Sequence, residues 1–203
     1  MNCLAIDTSG THLTVVVIKN EQVFCEFLLD SGLKHSTTLM PIIEQTLLKA
    51  GLDIKDIDVY SAVTGPGSFT GIRIGISTIK GLSYAFKKPV INVTSFDVLA
   101  YNKRERKSLA VIDALHDNFY VQGYDDTAVC LLPQFIDVKK LEQLSKEYQI
   151  ISSTQIEGVN ALVCDLKQGF INAVIAKMGE QNLDRESLVP LYVRKSQAEE
   201  NAL

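Results

Sequence analysis

Tryptophan is missing from the 203 residues, and histidine, cysteine and proline are scarce, at three, four and five. Cys3, Cys25, Cys130 and Cys164 lie far apart and form no CxxC. They read as small buried hydrophobes, not as a disulfide framework or a zinc site. His12, His35 and His116 have no spacing that puts two on one helix face, and neither HExxH nor HxxxH occurs, which argues against bound zinc or iron. No apolar run approaches the ~18 residues of a membrane span. The N-terminus shows no basic stretch leading into an apolar run and a small-residue cleavage site, so the expected location is the cytoplasm. Positive charge is not in excess either: the formal net charge is -4 and the isoelectric point is near 5.4. The densest basic run, Lys103-Arg104-Glu105-Arg106-Lys107, reads as a short solvated loop. A protein that grips RNA by itself shows a basic face, so any RNA role is expected to run through a partner.

What is present is the profile of a globular protein, 46% hydrophobic and 22% charged. The length suits one domain or two small ones. The chain is organised around Thr64 to Gly75, TGPGSFTGIRIG. Val59 to Val63 reads as a buried strand. Gly65-Pro66-Gly67 breaks it, because proline fixes its own φ and glycine allows positive φ. Ser68 or Thr70 can cap a helix that starts there. The apolar run Ile72, Ile74, Ile76, Ile79, Leu82, Ala85 and Phe86 predicts that helix over Thr70–Phe86. This elbow, with Gly65, Pro66, Gly67, Ser68, Gly71 and Arg73, is open to two readings. One is an anion cradle at a helix start; the other is a tight crossover where backbone approaches backbone. No lysine stands in the P-loop position, and the string is not a dinucleotide-binding GxGxxG.

Before the elbow, three strands are expected: Asn2 to Ile6, Leu13 to Ile18 and Gln22 to Leu29. The first two are apolar throughout and should be buried on both faces. Between them Asp7-Thr8-Ser9-Gly10-Thr11 makes a turn like a phosphate loop. No second Asp-Thr-Gly exists to pair with it as a protease dyad. A helix over Lys34–Ala50, closed by Gly51, carries more apolar residues than one stripe needs. It is either sandwiched within one core or touches a partner, and the partner reading is preferred. On it Leu39, Ile43 and Leu47 repeat at four as a ridge. On the elbow helix Gly71 and Gly75 lie four apart, with Thr78 close by, as a groove. These six residues form the expected partner interface. Pro41 suggests a late start or a bend. His35 has Leu39 at the fourth position after it, so it cannot form a metal pair and reads as a satisfied helix-start histidine.

The opening pattern then recurs. Ser108 to Asp113 echoes Cys3 to Asp7, and a turn, a strand over Phe119–Tyr124, a turn and a strand over Ala128–Leu132 come after it. This is an internal duplication with a seam at Lys103 to Lys107, dividing the chain into 1–105 and a smaller 106–203. The second turn, Ala114 to Asn118, has no glycine and is poorly suited to wrap a phosphate. Beyond it come a short helix over Val138–Lys146 capped by Asp137, strands at Gln149–Ser152 and Ala161–Cys164, and a helix over Lys167–Met178. Before the seam, Ser95 is expected to cap a short helix over Phe96–Asn102.

MNCLAIDTSG at the start, GPGSFTGIRIG in the middle and VPLYVRKSQAE at the end, in this order, resemble the TsaB (YeaZ) family over essentially the whole chain. The resemblance implies an α/β fold: a duplicated actin-like ATPase (ASKHA, ribonuclease H-like) fold with a shortened second half. It implies a non-catalytic scaffold subunit of the machinery that adds threonylcarbamoyl to adenosine 37 of tRNAs reading ANN codons. No cofactor of its own is implied; ATP and metal belong to partner subunits. Those are a TsaD-like catalytic subunit and a TsaE-like ATPase, with a homodimer when the chain is alone and tRNA met only indirectly. Asp7, Thr8, Ser9, Gly10 and Thr11 would then be a vestigial phosphate-type loop, with Asp7 capping or pairing locally. In that family an arginine commonly follows Asp-Ala in the second turn, whereas Leu115 stands here. Two alternatives are an actin-like kinase, which needs two good phosphate loops, and a glycoprotease-like (M22-type) peptidase, for which no triad or metal cluster shows by spacing.

Overall fold

The computed structural model describes residues 1–29, 35–102, 107–126, 128–179 and 185–194. Its first half contains β1 (Asn2–Asp7), β2 (Leu13–Lys19), β3 (Gln22–Leu28), α1 (His35–Ala50), β4 (Val59–Val63), α2 (Phe69–Phe86), β5 (Val90–Val93) and α3 (Ser95–Ala100). The second half contains β6 (Lys107–Asp113), β7 (Asn118–Asp125), β8 (Ala128–Asp137), α4 (Val138–Leu144), β9 (Gln149–Ser152), β10 (Ala161–Val163) and α5 (Leu166–Met178). The sheet orders are β3-β2-β1-β4-β5 and β10-β9-β6-β7-β8. Read from opposite ends these are the same plan: an antiparallel meander of three, its first strand flanked by two parallel strands. The chain is therefore a duplicated actin-like fold, and its second half is the shortened one. The helix from β8 to β9 has 7 residues where α1 has 16, and no named helix joins β9 to β10 as the 18-residue α2 joins β4 to β5.

Strand alternation builds two layers of core on the first sheet. Leu4, Ile6, Val15, Val17, Tyr60 and Ala62 face one way, with Leu39, Ile43 and Leu47 of α1 and Ile72, Ile76 and Ile79 of α2. Cys3, Ala5, Val16, Ile18, Val59 and Val63 face the other way, against Phe170, Ala173 and Val174 of α5. The expected burial of β1 and β2 on both faces is thus met, and it is α5, from the far half of the sequence, that covers the second face. Leu188 also returns to the first core. The cores therefore do not divide where the chain would be cut between 105 and 106, a point just inside the undescribed 103–106. A further cluster joins the halves, with Phe96, Leu99 and Ala100 of α3 against Ala110, Tyr124 and Ile151. Beside it Asp97 accepts from Tyr124 Oη at 3.3 Å and pairs with Lys177 Nζ at 3.0 Å.

Local chemistry fixes the boundaries. Ser68 caps α2, its hydroxyl accepting from Gly71 N, and Asp137 and Asp165 cap α4 and α5. Thr94, not Ser95, caps α3: it forms a reciprocal box with Asp97, which shifts the start by one residue. α1 continues through Pro41, an exposed residue, from His35 to Ala50. Cys130 is exposed on the edge strand β8, and Cys25 is half-buried, so only Cys3 and Cys164 behave as buried hydrophobes. Residues 189–194 extend without a named strand.

Candidate functional site

The parallel strands β1, β4 and β5 end together, and the loops at their carboxyl ends meet there, the usual place for a ligand in an open α/β sheet. These loops are the Asp7 turn, the Gly-rich elbow and the start of α3. Thr64 N donates to Val93 O at 2.9 Å and Ser95 N to Gly65 O at 2.8 Å. Ser95 Oγ donates to Ser9 Oγ at 3.3 Å. The sequence-expected elbow and phosphate-type turn are therefore in contact, through backbone at Ser68 and through the Thr8 hydroxyl at Gly71. Ser68 N donates to Ser9 O at 2.7 Å, and Thr8 Oγ1 donates to Gly71 O at 2.7 Å. A Cβ at Gly67 would collide with Ser9 O, one at Gly71 with Thr8 O, and one at Gly75 would stand 2.5 Å from Thr8 Oγ1. Gly65 alone among the elbow glycines needs positive φ, at 107°. Of the two readings of the elbow, the tight crossover describes what the glycines do. At the start of α2 the Ser68 amide, one of those a phosphate could meet, is taken by the carbonyl of Ser9.

The negative side chain of the turn is satisfied from within as well. Asp7 is 2% exposed; its Oδ1 accepts from Ser9 N at 2.8 Å and Ser9 Oγ at 2.7 Å, and its Oδ2 lies 3.0 Å from His12 Nε2. Burial alone would raise the Asp7 carboxyl. The charge and hydrogen bond of His12, with the two bonds from Ser9, outweigh it and hold the group below its ordinary value. Burial would likewise lower His12, and the Asp7 charge and hydrogen bond raise it instead. Both shifts favour the carboxylate–imidazolium form of the pair. Phe27 stacks on the imidazole at 5.6 Å between centroids. Gly10 leaves room for it, since a Cβ there would stand 2.7 Å from Nδ1. Asp7 pairs locally, and helix-face spacing does not single out its partner His12, which sits across a turn, five residues on.

The remaining expected residues divide clearly. Leu39, Ile43 and Leu47 are 2%, 1% and 5% exposed, inside the first core, and Gly71 and Gly75 are buried against the Asp7 turn. The ridge and groove assigned to a partner are therefore internal packing; the ridge fills the sheet's own face, and the groove takes the Thr8 loop in place of a second helix. Thr78 alone of the six is partly accessible. Arg73 is exposed on α2, its guanidinium carbon 3.6 Å from the Phe69 ring centroid and its Nε donating to Tyr192 Oη at 3.0 Å. His35 is only half satisfied: Nε2 donates to Gly10 O at 3.1 Å, and buried Nδ1 has no hydrogen-bond partner among the described residues. Among those residues no three histidine, cysteine or acidic side chains gather as a metal site. In the second turn Leu115, His116 and Asp117 take left-handed φ of 65°, 53° and 58° without glycine, and Asp113 Oδ1 accepts from Leu115 N. Two surface recesses, of about 410 and 490 Å³, include no elbow or turn residue. No helix among the described residues is long and apolar enough to cross a membrane.

A family model described as "TsaD: tRNA N6-adenosine threonylcarbamoyltransferase" matches residues 30–176. Among curated relatives, the "tRNA threonylcarbamoyladenosine biosynthesis protein TsaB" of Buchnera aphidicola (Schizaphis graminum) is 34% identical over 113 residues, covering 53% of this chain and 52% of that one. The protein of the same name from Bacillus subtilis is 31% identical, covering 61% and 55%. That from Escherichia coli is 28% identical, covering 75% and 71%. The chain thus spans about half the length of the first two relatives. A solved structure, "YeaZ from Pseudomonas aeruginosa", superposes with a TM-score of 0.73 at 21% identity, covering 94% of this chain and 99% of that one, and shares the fold. The chain belongs to the TsaD family of that model, and its curated relatives place it with the TsaB (YeaZ) members.

Proposed function

We propose that the chain is a non-catalytic scaffold subunit of the machinery that makes threonylcarbamoyladenosine at position 37 of tRNA, acting in the cytoplasm. The observation that carries the non-catalytic part is the self-filled turn. Ser9 O occupies the Ser68 amide, and the His12 imidazole stands 3.0 Å from the Asp7 carboxylate, where an actin-like enzyme would need room for phosphate and cation. A kinase reading would have to empty both positions. Nucleotide and metal then belong to partners: a TsaD-like catalytic subunit, contacted directly, and a TsaE-like ATPase. The acidic balance of the chain favours meeting tRNA only through them.

With the Leu39 ridge internal, the partner face moves to the outer side of the same two helices, which pack on one another. Half-buried Ile42 on α1 and Ile74, Thr78 and Leu82 on α2 are available there, with Met40 42% exposed nearby in sequence. The same face, self-complementary about a two-fold axis, would serve a homodimer when the chain is alone. The test is the threonylcarbamoyladenosine content of bulk tRNA, by mass spectrometry of nucleosides, in cells depleted of this chain. The nucleoside should fall and should return with the wild-type gene. Unchanged content on depletion would reject the reading.

A further inference from the structure

A second side of α2 carries features that the α1–α2 face does not use. At 3.6 residues per turn Phe69, Arg73 and Tyr84 share one side of the helix. Residues 185–194 run antiparallel along it: Tyr84 Oη donates to Glu186 Oε1 at 2.6 Å, and Arg73 Nε to Tyr192 Oη at 3.0 Å. The segment is anchored beneath by Leu188, which is fully buried, and by Leu191 N donating to Thr64 O. Phe69, Tyr84, Val189 and Tyr192 are each about half exposed, at 46%, 50%, 54% and 47%. The patch is about 22 Å long, from 15 steps of roughly 1.5 Å along α2.

Arg73 lies at one end of this patch. Its guanidinium rests on Phe69, whose ring stacks with Tyr192 at 5.6 Å, and the tyrosine hydroxyl holds Nε. No other hydrogen bond or ion pair engages it among the described residues, and the residue is exposed, which leaves its terminal nitrogens available for a partner. The guanidinium fork matches a carboxylate and has already lost part of the freedom that pairing would otherwise cost. Exposed aromatic rings around one arginine are the composition of interface hot spots. RNA is the poorer fit: Arg73 and Lys80 are the cations that α2 puts on this side, Glu186 stands at the other end, and the chain is net acidic.

We propose that this side of α2, with residues 186–192, is a docking surface for a protein segment that sets a carboxylate side chain between apolar ones, the carboxylate pairing with Arg73. The inference rests on the proposed function for its choice of partners. The test measures, by calorimetry, binding of the purified TsaD-like and TsaE-like proteins of the same genome, and of a tRNA transcript, to wild type, Arg73→Glu and Arg73→Lys. One of the two proteins should bind Arg73→Glu at least tenfold more weakly, with Arg73→Lys between and circular dichroism unchanged. Wild-type affinity of both proteins for Arg73→Glu would overturn this inference alone. A transcript that binds wild type and is lost with Arg73→Glu, while both proteins still bind, would also overturn it and make the patch an RNA site. Failure of wild type to bind either protein would reject the proposed function and this inference with it.

Discussion

At the scale of single residues the buried pair of Asp7 and His12 is the most consequential arrangement. His12 is raised by folding, so its contribution to stability is complete below the ordinary imidazole value and fades as pH rises through the raised one. Asp7 is lowered by folding, so its contribution is complete above the ordinary carboxylate value and is lost as pH falls through the lowered one. The pair therefore stabilises most between about pH 4 and about pH 6.5. Denaturant unfolding of wild type should be weaker on both sides of that window, and the His12 imidazole should titrate above its ordinary value by NMR. His12→Ala leaves a buried carboxylate unpaired and should cost roughly 3 kcal/mol near pH 6. A variant as stable as wild type there would show that the carboxylate finds water or another donor. The sequence displayed Asp7 as a turn residue and His12 as one of three scattered histidines. Nothing local indicated that the strand after the turn would fold the imidazole back over it, because that contact is set by the β1–β2 hairpin and by the space at Gly10.

At the scale of elements, most strands and helices were legible to within a residue or two, but β8 was not: expected to end at Leu132, it runs through Pro133 to Asp137. Ser68, Asp137 and Gly51 bounded helices as their types suggest, and the repeated strand order revealed the duplication. Which face a helical residue occupies was not legible. Apolar residues on α1 and α2 exceed one stripe, and a fourfold repeat reads the same whether it fills the chain's own core or another's. Gly71 and Gly75 show the same ambiguity, since a small residue marks close approach without saying of what. The two kinds of glycine on α2 can be told apart by substitution. Gly71→Ala must displace Thr8 O and should cost about 2 kcal/mol or more. Gly81→Ala meets nothing within 4 Å and should stabilise by about 0.5–1 kcal/mol through helix propensity. Thermal midpoints moving the same way for both would contradict the crossover geometry. Ile43→Asp and Ile74→Asp make a second pair. The first places a charge in the core and should unfold the chain. The second should leave circular dichroism native while light scattering shows the proposed homodimer reduced to monomer.

At the scale of the whole molecule, the halves are joined by α3, by α5 crossing back to the first sheet, and by residues 185–194 lying along α2. The sequence placed a seam near Lys103 but could not show that α5 and Leu188 complete the first core, because long-range packing leaves no periodic trace. At the carboxyl ends of β1, β4 and β5 the Asp7 turn and the elbow bond to each other, while the outer side of α2 carries exposed side chains. The central claim is that threonylcarbamoyladenosine synthesis needs this chain for assembly and not for chemistry at Asp7. The most direct measurement is the rate of threonylcarbamoyladenosine formation per assembled complex, reconstituted with Asp7→Asn and compared with wild type. His12→Gln is the parallel variant should Asp7→Asn lose its fold, and the amount of complex is fixed by size-exclusion chromatography. The account predicts equal rates per complex. A complex that assembles fully with either variant and forms no threonylcarbamoyladenosine would contradict it.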